Sequence, residues 1–279
     1  MRIYDFDSLI SSKEKLNTCS VISIGVFDGV HRGHKHIIDR LLKMRSKHPG
    51  SEAMVVTFCV NPKPNSQGDL DTVRLRAEYM EQLGVNSFVV IDFSENFSKI
   101  SACGFIELLL KLTNPKAVVV GEDFRFGNPT DAACAQDLHP LFLERGLDVE
   151  VDIVEQILTE GGEKISSTLL RRLIKNGELG YFLKLAGQRF CIDLMPIPYR
   201  VNDGELVYRT DAIHQLLPPL GAYDTDLVLT DGSVFKAEAM LTEEFLRLAC
   251  LPLRSVFGSQ DLSGRADVQV DSLLFGEKR

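Results

Sequence analysis

The sequence predicts a doubly wound α/β domain followed by a smaller β-rich domain. Three observations carry this. Apolar runs alternate with amphipathic helical patterns through the first two-thirds of the chain. The runs in the middle are nearly continuous in valine and isoleucine, as are strands buried on both faces of a parallel sheet. From Gln188 onward the texture changes to short strand-like runs separated by turn residues. A length of 279 residues accommodates two domains. We place the α/β domain over residues 1–185 and the β domain over 186–279.

Five strands are expected in the first domain: 21–27 (VISIGVF), 53–58 (AMVVTF), 87–92 (SFVVID), 117–121 (AVVVG) and 148–154 (DVEVDIV). Helical patterns lie between them. In 33–47, Ile37, Ile38, Leu41 and Leu42 recur at helical intervals with polar residues opposite. The pattern over 72–83 ends at Gly84, a helix-stop signal. Residues 101–112 and 137–146 supply two more, with Pro140 breaking or starting the latter. The run "KISSTLLRRLIKNGELGYFLKLAG" closes the domain as helix. In the second domain, 189–197, 204–209, 222–230, 234–241 and 266–275 read as strands. "NDG" at 202–204 and "TDG" at 230–232 mark turns. One helix is expected near 242–250.

Composition narrows the function. With 39 Asp and Glu against 31 Lys and Arg, a broad nucleic-acid-binding surface is not expected. A local basic pocket for a small anion remains open. The six cysteines are scattered, with no C-x-x-C pair, and read as free thiols of a reducing cytoplasm. The N-terminal stretch lacks an apolar core of signal-peptide length, and no apolar run reaches about 18 residues. A cytoplasmic chain with no membrane contact and no obligatory protein partner is expected.

Three motifs carry chemistry. "IGVFDGVHRGHKHII", residues 24–38, places His31 and His34 where the first strand gives way to a helix. Ligands of doubly wound sheets bind at the carboxyl ends of strands. Residues three apart share one side of a helical turn, and a helix N-terminus favours an anion. Gly29 and Gly33 permit close backbone approach. The motif therefore suits a polyphosphate, with imidazole donors for charge that grows as a phosphorus–oxygen bond breaks. Two imidazoles also begin a metal site, but no nearby Cys or third His completes a ligand set. The second motif, "KISSTLLRRL" (164–173), sets Ser166, Ser167 and Thr168 ahead of Arg171. One hydroxyl suffices for an N-cap. Three and an arginine suggest a second phosphate cradle. The third, "GEDFRFG" (121–127), follows the fourth strand. Asp123 and Arg125 are polar candidates there. Phe124 and Phe126 serve either as flat ligand surface or as local core. The span 57–64, "TFCVNPKP", is a further crevice loop.

These segments, "GVFDGVHRGH", Thr57-Phe58 with Pro62, "GEDFRFG" and "KISST" with Arg171, resemble the adenylyltransferase module of the prokaryotic bifunctional riboflavin kinase/FAD synthetases over about residues 15–185. The resemblance implies a Rossmann-like parallel sheet of the HxGH nucleotidylyltransferase type. It implies transfer of AMP from ATP to FMN, giving FAD and pyrophosphate, with Mg²⁺ carried by ATP. It implies that His31 and His34 meet the ATP phosphates, with Ser166, Ser167, Thr168 and Arg171 as the second phosphate-binding signature. Gly25, Phe27, Asp28 and Gly29 then form the nucleotide-binding turn. Phe58, Asn61, Pro62, Gly121, Asp123, Phe124, Arg125 and Phe126 fall where the family contacts its ligands. This chain has Val60 and Asn61 where the family has Pro and His.

The C-terminal part resembles the family's kinase barrel only at "LPPLGAYDTDLVL", and a Gly-rich nucleotide loop is missing after its first strand. A degenerate, barrel-like β domain without kinase activity is expected. The alternatives are a bifunctional enzyme with a diverged kinase site and a non-catalytic flavin- or nucleotide-binding protein.

Overall fold

The computed structural model describes residues 1–11, 16, 19–59, 68–92, 99–250 and 270–278. Asn61 and Pro62, and with them Val60, lie outside the described residues. The chain forms two compact units. One comprises Met1–Asn65 and Val73–Ile165, the other Ser66–Thr72 and Ser166–Arg279.

The first unit is the expected α/β domain. Its strands are β1 (Arg2–Asp5), β2 (Cys19–Ile24), β3 (Glu52–Phe58), β4 (Ser87–Ile91), β5 (Asn114–Gly121) and β8 (Glu150–Val154), in the order β1-β4-β3-β2-β5-β8. All neighbours pair in parallel. Between them run α1 (Phe6–Ser11), α2 (Arg32–Lys47), α3 (Val73–Gln82), α4 (Ala102–Leu112) and α5 (Leu138–Leu143). A two-residue ribbon, β6 (Arg125–Phe126) with β7 (Ala133–Cys134), follows β5.

Strand side chains point alternately to the two faces of a sheet, and both faces here are covered. Val21, Ala53, Val55, Ala117 and Val119 pack with Ile38, Leu41 and Met44 of α2 and Met80 of α3. Ile22, Met54, Val56, Val118 and Val120 pack with Phe105, Ile106 and Leu109 of α4 and Phe142 of α5. That is why the strands read as unbroken apolar runs. Pro140 stands in the first turn of α5, where a missing N–H costs nothing. The chain goes from β2 outward through β3 to β4, then returns to set β5 on the other side of β2. The direction of winding reverses between β2 and β5, so a crevice opens at their carboxyl ends.

The second unit begins with α6 (Ser167–Asn176) and α7 (Leu179–Ala186). The expected boundary at 185/186 falls at the end of α7, whereas the compact unit begins at Ser166. Phe182 of α7 meets Phe190 edge-on, Phe190 meets Phe275, and Phe275 meets Tyr223, with ring centroids 5.2–5.9 Å apart. This aromatic chain joins the helix pair to the sheet behind it.

That sheet is antiparallel and seven-stranded, ordered β10-β11-β14-β13-β12-β15-β9. Its strands are β9 (Cys191–Asp193), β10 (Tyr199–Asn202), β11 (Glu205–Arg209), β12 (Gly221–Leu229), β13 (Val234–Leu241), β14 (Phe245–Ala249) and β15 (Val270–Lys278). Among the described residues β9 and β10 are the two end strands and do not pair with each other, leaving a half-barrel. Asp203 and Gly204, with φ of 49° and 78°, form the two-residue turn that "NDG" announced. The helix expected near 242–250 is not formed. Leu246 and Leu248 are buried while Arg247 is exposed, the alternation of a strand, and β14 pairs with both β11 and β13.

Gly68–Thr72 is built into this second unit by backbone and side-chain bonds. Leu216 N donates to Asp69 O at 2.9 Å and Gln215 Nε2 to Leu70 O at 2.8 Å. Thr72 Oγ1 donates to Asp193 Oδ2 at 2.6 Å. All six cysteines are free thiols. No helix among the described residues is long and apolar enough to cross a membrane.

Candidate functional site

The strand β2 stops at Ile24 and the chain turns through Gly25–Gly29 before α2. Phe27 and Gly29 both have positive φ, 51° and 65°. A phenylalanine in this region is uncommon, and such residues cluster at ligand clamps. The Phe27 ring is buried and lies so close to Gly25 that a Cβ there would meet it at 3.1 Å. Asp28 is buried beside it.

His31 is the N-cap of α2. Its Nδ1 accepts a hydrogen bond from the backbone N–H of His34 at 3.2 Å. A neutral ring that accepts at Nδ1 carries its proton on Nε2. The cap therefore fixes the tautomer and leaves Nε2–H as the donor. The His31 and His34 rings stack, with centroids 3.7 Å apart and planes 16° from parallel. Phe27 meets His34 edge-on at 5.2 Å. Gly33 allows this arrangement: a Cβ at that position would approach the His31 ring at 3.1 Å and Ile165 O at 3.6 Å.

Both imidazoles are held neutral. Burial lowers the His31 pKa to about 4, assisted by the Lys164 ammonium. Burial also sets His34 well below the usual histidine value, and the stacked His31 ring with the Lys164 and Arg76 cations adds to this. His31 is only 4 % exposed. It binds no proton until well below the value of an unfolded histidine. Between about pH 6.5 and 4 the unfolded chain therefore binds more protons there than the folded one, and stability falls as pH falls. At one proton the full loss is about 3 kcal/mol below pH 4. His31→Gln, which has no titrating group, should lack this part of the acid destabilisation. Denaturant midpoints of the α/β unit between pH 7.5 and 4.5 measure the difference. Equal pH slopes for both proteins would contradict a buried neutral His31.

The loop after β5 lies at the same switch point. Asp123 and Arg125 are exposed, and Asp123 pairs with Lys164. A Cβ on Gly121 would meet Asp123 Oδ1 at 3.1 Å and the Ile37 side chain at 3.5 Å. The two phenylalanines divide. Phe126 is 6 % exposed and packs in the core against Phe105, while the half-buried Phe124 stacks over it at 5.5 Å. Phe58 closes β3 and is buried in the core beneath that strand end.

The structure thus brings together, within the first unit, the turn with Gly25, Phe27, Asp28 and Gly29, the His31–His34 pair, and the Gly121–Phe126 loop. Ser166, Ser167, Thr168 and Arg171 belong to the second unit. Ser166 is the N-cap of α6 and accepts from Leu169 N at 3.3 Å, so one hydroxyl does serve as a cap. Arg171 is buried and its Nε donates to Gly68 O at 3.4 Å.

Two residues of the site went unread in the sequence. Lys164 carries the cation facing His31 and Asp123. Arg76 is buried in α3 and donates to the backbone at the ends of both β2 and β3. The available signal was its position: Arg76 stands on the apolar stripe of its helix, one turn before Met80. Among the described residues no group of three or more His, Cys, Asp or Glu side chains is arranged to hold a metal ion.

A parallel sheet with a helix-capping imidazole at its switch point is an arrangement suited to an anionic ligand. Comparison with known proteins narrows the class. Residues 13–169 match the FAD synthetase family, and the chain belongs to that family, one of nucleotidyltransferases. A putative bifunctional riboflavin kinase/FMN adenylyltransferase of Geobacillus thermodenitrificans is 36% identical over 161 residues, covering 57% of this chain and 84% of the relative. The bifunctional riboflavin kinase/FMN adenylyltransferase of Listeria monocytogenes is 32% identical over 224 residues, 77% of this chain and 69% of the relative. For the protein of that name from Buchnera aphidicola subsp. Schizaphis graminum, identity is 31% and the match spans 59% of the relative's length. Among solved structures, the macrolide-efflux protein from Streptococcus pneumoniae matches all of this chain and 91% of its own, with a TM-score of 0.76 and 21% identity. At that identity the likeness is one of fold.

Proposed function

We propose that the protein is an FMN adenylyltransferase that joins Mg-ATP and FMN to give FAD and pyrophosphate. The observation that carries this reading is the stacked, neutral histidine pair at the β2–α2 switch point of a chain from the FAD synthetase family. In the reaction, a phosphate oxygen of FMN attacks the α-phosphorus of ATP. The bond from that phosphorus to the bridging oxygen breaks, and pyrophosphate leaves with the electron pair. The enzyme has little covalent chemistry to do beyond positioning and neutralising charge.

The His31 Nε2–H suits a non-bridging phosphate oxygen as charge builds up there. A neutral donor helps more as that charge grows, because it does not hold the ground-state anion as a fixed cation would. Gly25, Phe27, Asp28 and Gly29 form the nucleotide turn in this reading. Ser166, Ser167, Thr168 and Arg171 match the family's second signature, and hydroxyls and a guanidinium suit phosphate oxygens. We assign Asn61, Pro62, Gly121, Asp123, Phe124 and Arg125 to the binding of flavin and adenine, while Phe58 and Phe126 act from the core. Mg²⁺ enters as part of the substrate, since it prefers phosphate oxygens and retains most of its waters. The free thiols fit a cytoplasmic enzyme. Residues 186–279 are proposed as a degenerate riboflavin kinase-like domain.

Incubating the purified protein with FMN and Mg-ATP tests the reading. Chromatography is expected to show conversion of FMN to FAD that depends on Mg²⁺. Folded protein that leaves FMN unchanged after prolonged incubation would contradict it.

A further inference from the structure

Arg76 is 2 % exposed, among the most buried large side chains of the protein. Its Nη1 donates to Val26 O at 2.7 Å and Phe58 O at 2.9 Å, with Thr57 Oγ1 at 3.3 Å. Its Nη2 donates to Cys59 O at 3.1 Å. No carboxylate among the described residues pairs with it. Val26 lies between β2 and the positive-φ Phe27, while Phe58 ends β3 and Cys59 follows it. One guanidinium therefore spans the carboxyl ends of two adjacent strands. Val26 O also accepts from Thr57 Oγ1 at 2.9 Å, and Gly25 N donates to Val56 O at 3.1 Å. Side-chain and backbone bonds together fasten the turn to β3.

Burying an unpaired cation is costly, and an apolar side chain on this stripe of α3 would pack without that cost. The fork geometry of arginine explains its use, because a single planar group can serve several carbonyls at fixed angles. The cation also contributes to holding His34 neutral.

We propose that Arg76 is a positioning residue: it locks the nucleotide turn onto the end of β3 and so sets the geometry of the His31–His34 pair. This rests on the adenylyl-transfer reading above. Arg76 touches neither substrate, and its effect passes through the turn. Displacing a reacting group by about 1 Å costs on the order of a hundred-fold in rate. Arg76→Gln should thus lower kcat by about ten- to a hundred-fold, while the KM for Mg-ATP changes much less. Arg76→Lys keeps a cation with three donors but loses the planar fork, and should recover part of the loss.

Hydrogen exchange supplies a readout independent of turnover. In Arg76→Gln, exchange should rise at residues 25–34 and 58–59 well before it rises in β4 or α4, and Arg76→Lys should show a smaller rise at the same places. If wild-type protein makes no FAD, the adenylyl-transfer reading fails, and the exchange pattern alone decides whether Arg76 holds the turn. If wild type makes FAD, three results would overturn the inference. One is a folded Arg76→Gln with near-wild-type kcat. Another is a uniform rise of exchange across the unit, the mark of a merely structural residue. The third is a lysine variant no better than glutamine.

Discussion

Replacing His31 or His34 by alanine is expected to lower the rate of FAD formation by about a hundred- to a thousand-fold, the effect of removing one donor that acts in the transition state. The two variants should differ in stability. His31 Nδ1 caps α2, so His31→Ala also loses a cap, which costs about 0.5–2 kcal/mol. His31→Asn separates these effects. Asparagine caps well and restores that stability, but its amide does not reproduce the imidazole Nε2–H at the same place. Initial rates and thermal midpoints of the three variants provide the check. The account expects turnover to stay low in His31→Asn while the midpoint recovers. Near-normal turnover in both alanine variants would make the imidazoles structural.

Riboflavin incubated with Mg-ATP is expected to remain riboflavin. Phosphoryl transfer depends on a loop that cradles the ATP phosphates and on a placed base. The strand β9 has only three residues and runs into a turn at Met195–Ile197. Gly204 and Gly232 are used in hairpin turns, and Gly221 begins β12. Asp226 is paired by both Arg189 and Lys236, and Asp224 faces Glu238 across β12 and β13. Detecting FMN formed from riboflavin, and losing that activity in a variant with Asp226 replaced by asparagine, would restore the bifunctional alternative.

The fold was legible wherever burial leaves a local pattern. The inner strands of the parallel sheet announced themselves because both faces are covered, so a run such as Met54, Val55 and Val56 carries no polar interruption, whereas the edge strand β8 showed as an alternation of Val and Ile with Asp and Glu. The edge strand β1 did not, because it is four residues long and Ile3 faces outward. Residues 242–250 misled because Phe245, Leu246, Leu248 and Ala249 fit a helical stripe about as well as an alternation. Pairing with β11 and β13 decides between them, and it depends on distant residues. The same holds for the helix after "KISS". It belongs to the second unit, and its neighbour α7 joins that unit through Phe182 on Phe190 and Phe190 on Phe275, packing that spacing along the chain does not reveal.

The site was legible where chemistry is concentrated in sequence, as in the turn from Gly25 to His34. The tautomer of His31 was not, since it depends on a single hydrogen bond from His34 N. Arg76 was hidden because a charged residue in a helical pattern ordinarily marks the solvated face. Phe126 could be read two ways, and the packing against Phe105 puts it in the core.

In the proposed reaction the α-phosphorus of ATP is the atom attacked. Parallel incubations of the protein and FMN with ATP labelled at the α- or the γ-phosphate test this most directly. The α-label is expected to enter the flavin product and co-elute with FAD, while the γ-label leaves in pyrophosphate. Label from the γ-phosphate in a flavin, or no α-label in any flavin under conditions where the protein is folded, would contradict it.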